Sequence, residues 1–453
     1  MTDKEWLESD EAKEKSMRFY AHFDYRTNIG QQRVYLSDPE NIKRHGFYPF
    51  IHYKQKQTKY SKAGGKTDKE RDICYAAHID RCIYQYYNFI LGELYNQRVE
   101  QDRISHVAVA YRSDLHQSNI NFAKRAIDFI RNNSPCYIMI GDFTGFFDNL
   151  DHNYLKRQWC SLLGESRLPD DHYAVFKSLT RYSVWELSDL LALNHLPDDR
   201  KGRKELNSRS RVLSIEEFKA NRSHIKPNQN KYGIPQGSPI SGMLANIYMM
   251  DVDRQVQYFV SNLNGFYMRY SDDFIIVIPD NRDTSSQAMK DVSGFFKIDG
   301  LTLEPEKTQY YRFENQSLVS CSIQYGISEK KSKRFINFLG FAFDGKTITV
   351  RAKTTGKYYQ RMYRKVKSIT RSPGNGPAGK RILASNLYNL YSIKGANGYL
   401  IKKRDGHTRK CSGNFLTYIQ RSKKIIGYKE SIDRDTRRHM SKIRKALKRQ
   451  LGG

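Results

Sequence analysis

Residues 265–278, GFYMRYSDDFIIVI, set two adjacent carboxylates, Asp272 and Asp273, between two apolar runs. Runs of this kind around a short polar tip read as a β-hairpin, and Ser and Asp suit its turn because their side chains bond nearby backbone groups. Turn chemistry alone accounts for the residues. The alternative is that a divalent cation offsets the repulsion between the two acids, since hard cations are held by one or two carboxylates together with substrate phosphates. That reading requires a third carboxylate at another strand end.

CYIMI (136–140) reads as a buried strand ending in Gly141-Asp142, 130 residues before Asp272. This strand and the hairpin can lie in one antiparallel sheet, bringing Asp142, Asp272 and Asp273 to the same edge. Such a cluster suits two-metal phosphoryl transfer, in which the cations activate a hydroxyl and stabilise the leaving pyrophosphate.

The bulk properties agree with a polyanionic partner. The 453 residues carry 77 Lys and Arg against 48 Asp and Glu, a formal net charge of +29. An excess of this size repels itself in a compact fold and makes sense beside nucleic acid. The 32 Tyr and 23 Phe add surfaces on which bases stack. No apolar run reaches membrane-spanning length, and MTDKEWLESDEAKEK lacks the apolar core of a signal peptide. Six scattered cysteines without a C-x-x-C pair argue against structural zinc and a disulfide framework, so a cytoplasmic protein with no membrane association is expected.

Periodicity predicts a helix over residues 1–16, a basic hairpin over 50–66, and helices over 79–95 and 120–133, the last stopped by Asn132, Asn133 and Pro135. Helical structure follows Asp142, then a polar stretch (186–232) reads as an insertion with its own helices. GMLANIYMMDVDRQVQYFV reads as one helix and SSQAMKDVSGFFKIDG as another. Beyond Gly345 strand signals are sparse and basic helices dominate. The expected class is α+β.

Five segments occur in an order that resembles the reverse transcriptases, especially the group II intron and retron branch. DFTGFFDNLDH (142–152) is similar to their A motif, GIPQGSPIS (233–241) to B and RYSDDF (269–274) to C. LTLEPEKT (301–308) resembles D, and FLGF (338–341) resembles E. The resemblance implies a right-hand polymerase: fingers in 1–135, a palm in 136–345 with an insertion at about 160–232, and a helical thumb with a basic C-terminal region in 346–453.

It also implies roles. Asp142, Asp272 and Asp273 would hold two Mg²⁺ ions, with Mn²⁺ as a substitute. Phe147 would lie under the incoming sugar and exclude a 2′-hydroxyl; core packing beside Phe146 is the alternative. Gln236 would bond near nucleotide and template, with Gly233 and Gly237 allowing close backbone approach. Lys307 would protonate the leaving pyrophosphate, unless it is an ordinary surface lysine. Lys69 and Arg71 would hold the triphosphate, with Arg81 further along; a solvated basic turn explains Lys69 equally well. Tyr358, Arg361, Arg364 and Lys365 mark a helix that can follow a phosphate backbone or serve as an ordinary amphipathic thumb helix.

The sequence shows no Cys/His nuclease module, RNase H or integrase segment after the thumb, and no Asn-Ala-x-x-His or Val-Thr-Gly element of the retrons. YAAHIDRCIYQYYNFIL, SNINFAKRAIDFI and NFLTYIQRSKKI resemble the standalone bacterial reverse transcriptases associated with defence against phage. That branch implies dNTP substrates, a DNA product, and an RNA template that is a structured non-coding RNA. Template-independent or protein-primed synthesis, and an intron-splicing RNA-binding role, remain open alternatives. The sequence leaves the oligomeric state undetermined.

Overall fold

The computed structural model describes residues 2–61, 65–281, 284–327, 334–371, 384–402 and 408–451. Its centre is a five-stranded antiparallel sheet in the order Ser317–Ser320, Gln309–Glu314, Cys136–Gly141, Asp273–Pro279, Phe266–Tyr270. Side chains alternate across such a sheet. Ile138, Ile140, Ile275 and Val277 face one core, while Met139, Phe274, Ile276 and Ile278 face another. Both faces are covered, which explains why CYIMI and FIIVI read as continuous apolar runs rather than as alternating ones.

Helix Asn119–Asn132 supplies the first cover through Ile120, Phe122, Ala123, Ile127 and Ile130. Helices His78–Gln101, Ser241–Tyr248 and Met250–Ser261 supply the second. A separate sheet joins Asp72–Tyr75, Phe50–Lys54, Ser183–Glu186 and Lys226–Pro227. Its core, built on Ile51, Trp185, Leu190 and Leu191, unites the early chain with the helices that follow Glu186. A small three-stranded sheet (Ile336–Phe338, Phe341–Phe343, Ile348–Val350) leads into the uncharged helix Ser385–Tyr391 and the basic helices Ala352–Arg371, Phe415–Ile426 and His439–Gln450. The class is α+β. Among the described residues no helix is long and apolar enough to cross a membrane.

Several expectations are corrected. Residues 3–16 form two helices, because Ser9 both ends Asp3–Glu8 and caps Asp10–Ser16 through its hydroxyl. Strand Phe50–Lys54 leaves the basic hairpin for the second sheet; the hairpin itself pairs Gln57–Ser61 with Gly65–Lys69. The helix read through 242–260 breaks at Met249. Only Ser285–Asp291 of the next one is α-helical, followed by a 3₁₀ turn over Val292–Phe296. A hairpin, Tyr399–Lys402 with Thr408–Cys411, interrupts the basic helices.

Candidate active site

The site forms at one end of the central sheet. Gly141 pairs with Phe274 and Tyr270 pairs with Asp273, so Asp142 emerges beside Asp273. On the other flank Ile140 pairs with Gln309, which brings the chain from Lys307 alongside Asp142. The Lys307 ammonium donates to Asp142 Oδ2 at 2.8 Å. The D segment is tied to the A segment through Glu304 N to Asp142 O at 2.8 Å and Thr144 N to Thr302 O at 3.0 Å.

Negative charge accumulates here. Asp273 is exposed on the turn that it shares with the half-buried Asp272. Removal from bulk solvent, and then the charges of Asp272 and Asp142, push its carboxyl up to about 7. Lys307 and Arg351 counteract this in part. Among the described residues no three His, Cys, Asp or Glu side chains meet in a ready-made metal cage, and the Lys307 ammonium takes a cation's place on Asp142. The donor set fits divalent magnesium: hard carboxylate oxygens whose mutual repulsion a cation offsets.

The turn carrying the acids is held from beneath. Ser271 has a left-handed backbone, φ +62°, and its carbonyl accepts from Arg269 NH1 at 3.0 Å. Arg269 is wholly buried. Its Nε donates to Asp253 Oδ1 at 2.9 Å, and the same oxygen accepts from the Tyr267 hydroxyl at 2.8 Å. Asn246 Oδ1 accepts from Arg269 NH1 at 3.3 Å, while its amide donates to Ala110 O at 2.9 Å. The break at Met249 starts the helix that carries Asp253.

Phe146 packs inward against Phe143, and Phe147 is only partly buried, edge-on to Phe146. The B segment docks on both sides. Ile234 N donates to Phe147 O at 2.9 Å, and Cys74 N donates to Gln236 O at 2.9 Å. Gly237 has φ +118°, and a Cβ there would lie 2.4 Å from Cys74 O, so glycine alone permits this approach. Gln236 itself is half-buried.

Arg71 is exposed at the end of the basic hairpin, its backbone paired with Gln55. The side chain of Lys69 lies outside the described residues. Arg361 and Arg364 are exposed and Lys365 half-buried on the Ala352–Arg371 helix. Arg361 lines a cavity of about 560 Å³ with Arg351, Lys353 and Lys357, beside Gly340 of the E segment.

Two residues expected at a nucleic-acid surface are placed inside. Arg81 is buried, and its guanidinium donates to the carbonyls of Lys15 and Ser16. It neutralises the negative end of helix Asp10–Ser16. Tyr358 is buried against Phe415 and donates to Tyr391 O at 2.7 Å. Its place on the inward face of an amphipathic helix is the reason.

Sequence reasoning missed Asp253, Arg269, Asn246, Arg351 and Tyr111. The first two carried a signal, since each puts a charge on an otherwise apolar face. Tyr111 carried none: its importance lies in φ +63° and in a bond between its hydroxyl and Ser271 Oγ at 2.9 Å.

No curated protein matches the chain. Solved structures give distant likenesses. Apo telomerase from Candida tropicalis, truncated from its C-terminal domain, is 12% identical over 66% of this chain and 55% of that one, with a TM-score of 0.40. The untruncated apo telomerase of that organism gives 14%, 78%, 60% and 0.39. Telomerase from Candida albicans in complex with a fragment of telomeric RNA gives 12%, 94%, 66% and 0.37. The chain thus spans just over half to about two thirds of these telomerase chains. The family model described as reverse transcriptase (RNA-dependent DNA polymerase) matches residues 61–343, more than half of the chain. The protein belongs to the reverse transcriptase family.

Proposed function

We propose that the protein is an RNA-directed DNA polymerase that adds deoxynucleotides to a 3′ hydroxyl, templated by a structured non-coding RNA, in the defence of a bacterium against phage. The observation that carries the polymerase reading is the strand register that sets Asp142 beside Asp273, with Asp272 on the same turn and Lys307 across from them. The defence assignment rests on the resemblance of the 75–91, 118–130 and 414–425 segments. In this reading fingers, palm and thumb correspond to residues 1–135, 136–345 and 346–453.

Asp142, Asp272 and Asp273 hold the divalent cations, Mg²⁺ by the hardness of the donors. When bound, the cations supply charge neutralisation for the triphosphate and acidity to the attacking hydroxyl. Arg269, through Ser271 O, fixes the direction in which Asp272 leaves the turn. Phe147 forms the floor against which a ribose 2′-hydroxyl would collide. Lys307 exchanges its bond to Asp142 for the leaving pyrophosphate, to which its ammonium gives a proton. Arg71 holds the triphosphate from the end of the basic hairpin, and the family resemblance assigns Lys69 to the same partner. Arg361, Arg364 and Lys365 contact strand phosphates with Lys357, in positions suited to backbone rather than base contacts.

The test is extension of a DNA primer on an RNA template with deoxynucleotides and Mg²⁺. Synthesis is expected with the unaltered protein and lost in Asp272→Ala and Asp273→Ala. Synthesis undiminished in both variants would end the assignment. Sequencing of co-purified RNA and DNA tests the template assignment; a heterogeneous RNA pool with no matching cDNA would remove it.

A further inference from the structure

Tyr111 and Ser271 are both non-glycine residues held in the left-handed region, at φ +63° and φ +62°. For L-residues with a side chain this backbone is strained. The two lie 160 residues apart in sequence, yet one hydrogen bond joins the Tyr111 hydroxyl to Ser271 Oγ at 2.9 Å. Two strained residues therefore meet immediately before Asp272.

The segment that carries Tyr111 is fastened to the catalytic hairpin. Arg269 N donates to Val107 O at 2.9 Å, and Val109 N donates to Arg269 O at 3.0 Å. The Asn246 amide donates to Ala110 O at 2.9 Å. On the other side of Tyr111, the buried Arg112 donates to Ser105 O at 2.7 Å and to Asp114 Oδ2 at 2.7 Å. Gly242 completes the fit, since a Cβ there would lie 2.6 Å from the Tyr111 ring. The ring is nevertheless 51% exposed, so filling the core does not account for the strain.

Ser271 itself is buried, its carbonyl taken by Arg269 and its hydroxyl by Tyr111. Arg269 fixes the peptide plane between Ser271 and Asp272. Tyr111 fixes the side chain on the same Cα. Relaxing φ of Ser271 to an ordinary negative value would carry both groups away from their partners and turn Asp272 with them. Burial foremost, and the charge of Asp272 in smaller part, raise the Tyr111 phenol above its ordinary value, while the bond to Ser271 lowers it. The phenol therefore stays neutral at pH 7 and keeps a proton to donate.

We propose that Tyr111 is a positioning residue: its hydroxyl, acting on Ser271, holds the left-handed turn that aims Asp272 at the divalent cation. The proposal rests on the polymerase reading for what Asp272 binds. Arg269 from beneath and Tyr111 from the side together prevent the turn from relaxing.

The test is Mn²⁺ binding to the full chain, followed by electron paramagnetic resonance without nucleotide or nucleic acid, with primer extension scored separately. Tyr111→Phe keeps the ring and removes only the hydroxyl. It is expected to weaken Mn²⁺ binding and to lower kcat by about five- to tenfold, the effect of one hydrogen bond, with KM for dNTP unaltered. Ser271→Ala loses the bond but keeps the strain, and is expected to match it. Ser271→Gly also loses the bond, but glycine adopts this backbone freely. It is expected to regain most of the Mn²⁺ affinity, alone and combined with Tyr111→Phe. A bond that only braces the fold predicts the opposite order, because glycine loosens a turn that alanine does not. Glycine no better than alanine overturns the proposal, as does Mn²⁺ affinity weakened in Asp272→Ala but unchanged in Tyr111→Phe; the polymerase reading survives both results. Affinity unchanged in Asp272→Ala as well would remove the cation site and the proposal together. No extension by the unaltered protein, with the Mn²⁺ series as expected, would refute the polymerase reading and leave the role of Tyr111 standing.

Discussion

Asp253 and Arg269 meet entirely inside the protein, and the same guanidinium that grips the carboxylate also grips the carbonyl of Ser271. A buried ion pair is weak evidence of stabilisation, because desolvation offsets much of the attraction. Here it does something more specific: it connects a helix to the backbone of the turn that presents Asp272.

Breaking one side of that pair leaves an unpaired buried charge. Asp253→Asn is expected to destabilise the protein by about 3–5 kcal/mol, read as a lower urea midpoint. The double variant Asp253→Leu, Arg269→Met is expected to regain most of the midpoint, since apolar replacements of such pairs are often tolerated. Its single-turnover rate is expected to stay low, because Ser271 O has lost its donor. Recovery of both quantities together would show that the pair has no positioning role.

Charge at the site makes stability depend on pH. The folded Asp273 carboxyl sits near 7, above the ordinary carboxylate range. A raised value means that the fold favours the protonated acid, so its contribution is present at low pH and lost as pH rises from about 4 through 7. Asp273→Asn is expected to raise the melting temperature relative to the unaltered protein by about 2 °C at pH 8 and not at pH 4. Millimolar Mg²⁺ at pH 8 is expected to narrow that gap. Parallel melting curves of the two proteins across this range would contradict the expectation.

The fold and the core of the site were legible for a common reason: both depend on local patterns. Continuous apolar runs ending in acids specify two-faced strands, and those strands place Asp142 and Asp273 by register alone. Helix Asn119–Asn132 was legible from its apolar spacing and from the Asn132, Asn133, Pro135 stop. Exposure was not legible. Arg81 and Tyr358 looked like surface residues because sequence does not say which face of a helix meets another helix. Asp253 and Arg269 were visible only as violations, an acid on the Val252, Val256, Val260 stripe and a cation inside FYMRY. The break at Met249 and the strain at Tyr111 are products of tertiary packing, which leave no mark on composition or period.

Sugar selection is expected to depend on Phe147, whose ring is only partly covered. Phe147→Ala is expected to raise ribonucleotide incorporation relative to deoxynucleotide by about 10- to 100-fold, measured as the ratio of kcat/KM values. Loss of activity with no change in that ratio would return Phe147 to a packing role.

Gly237 is expected to tolerate no side chain. Gly237→Ala forces a Cβ into Cys74 O at a backbone angle that L-residues rarely adopt, a strain of about 1–3 kcal/mol. A lower melting temperature and a higher KM for dNTP are expected. Gly294→Ala, where a Cβ meets nothing within 4 Å, is the matched control and is expected to leave both unchanged.

The sheet that contains Ser183–Glu186 has its own apolar centre around Trp185, and shares no strand with the sheet that aligns the acids. Lengthening or remodelling the segment between residues 187 and 225 is therefore expected to leave the pairing of the catalytic strands untouched. The chain can acquire new ways of gripping a partner there without recalibrating its chemistry.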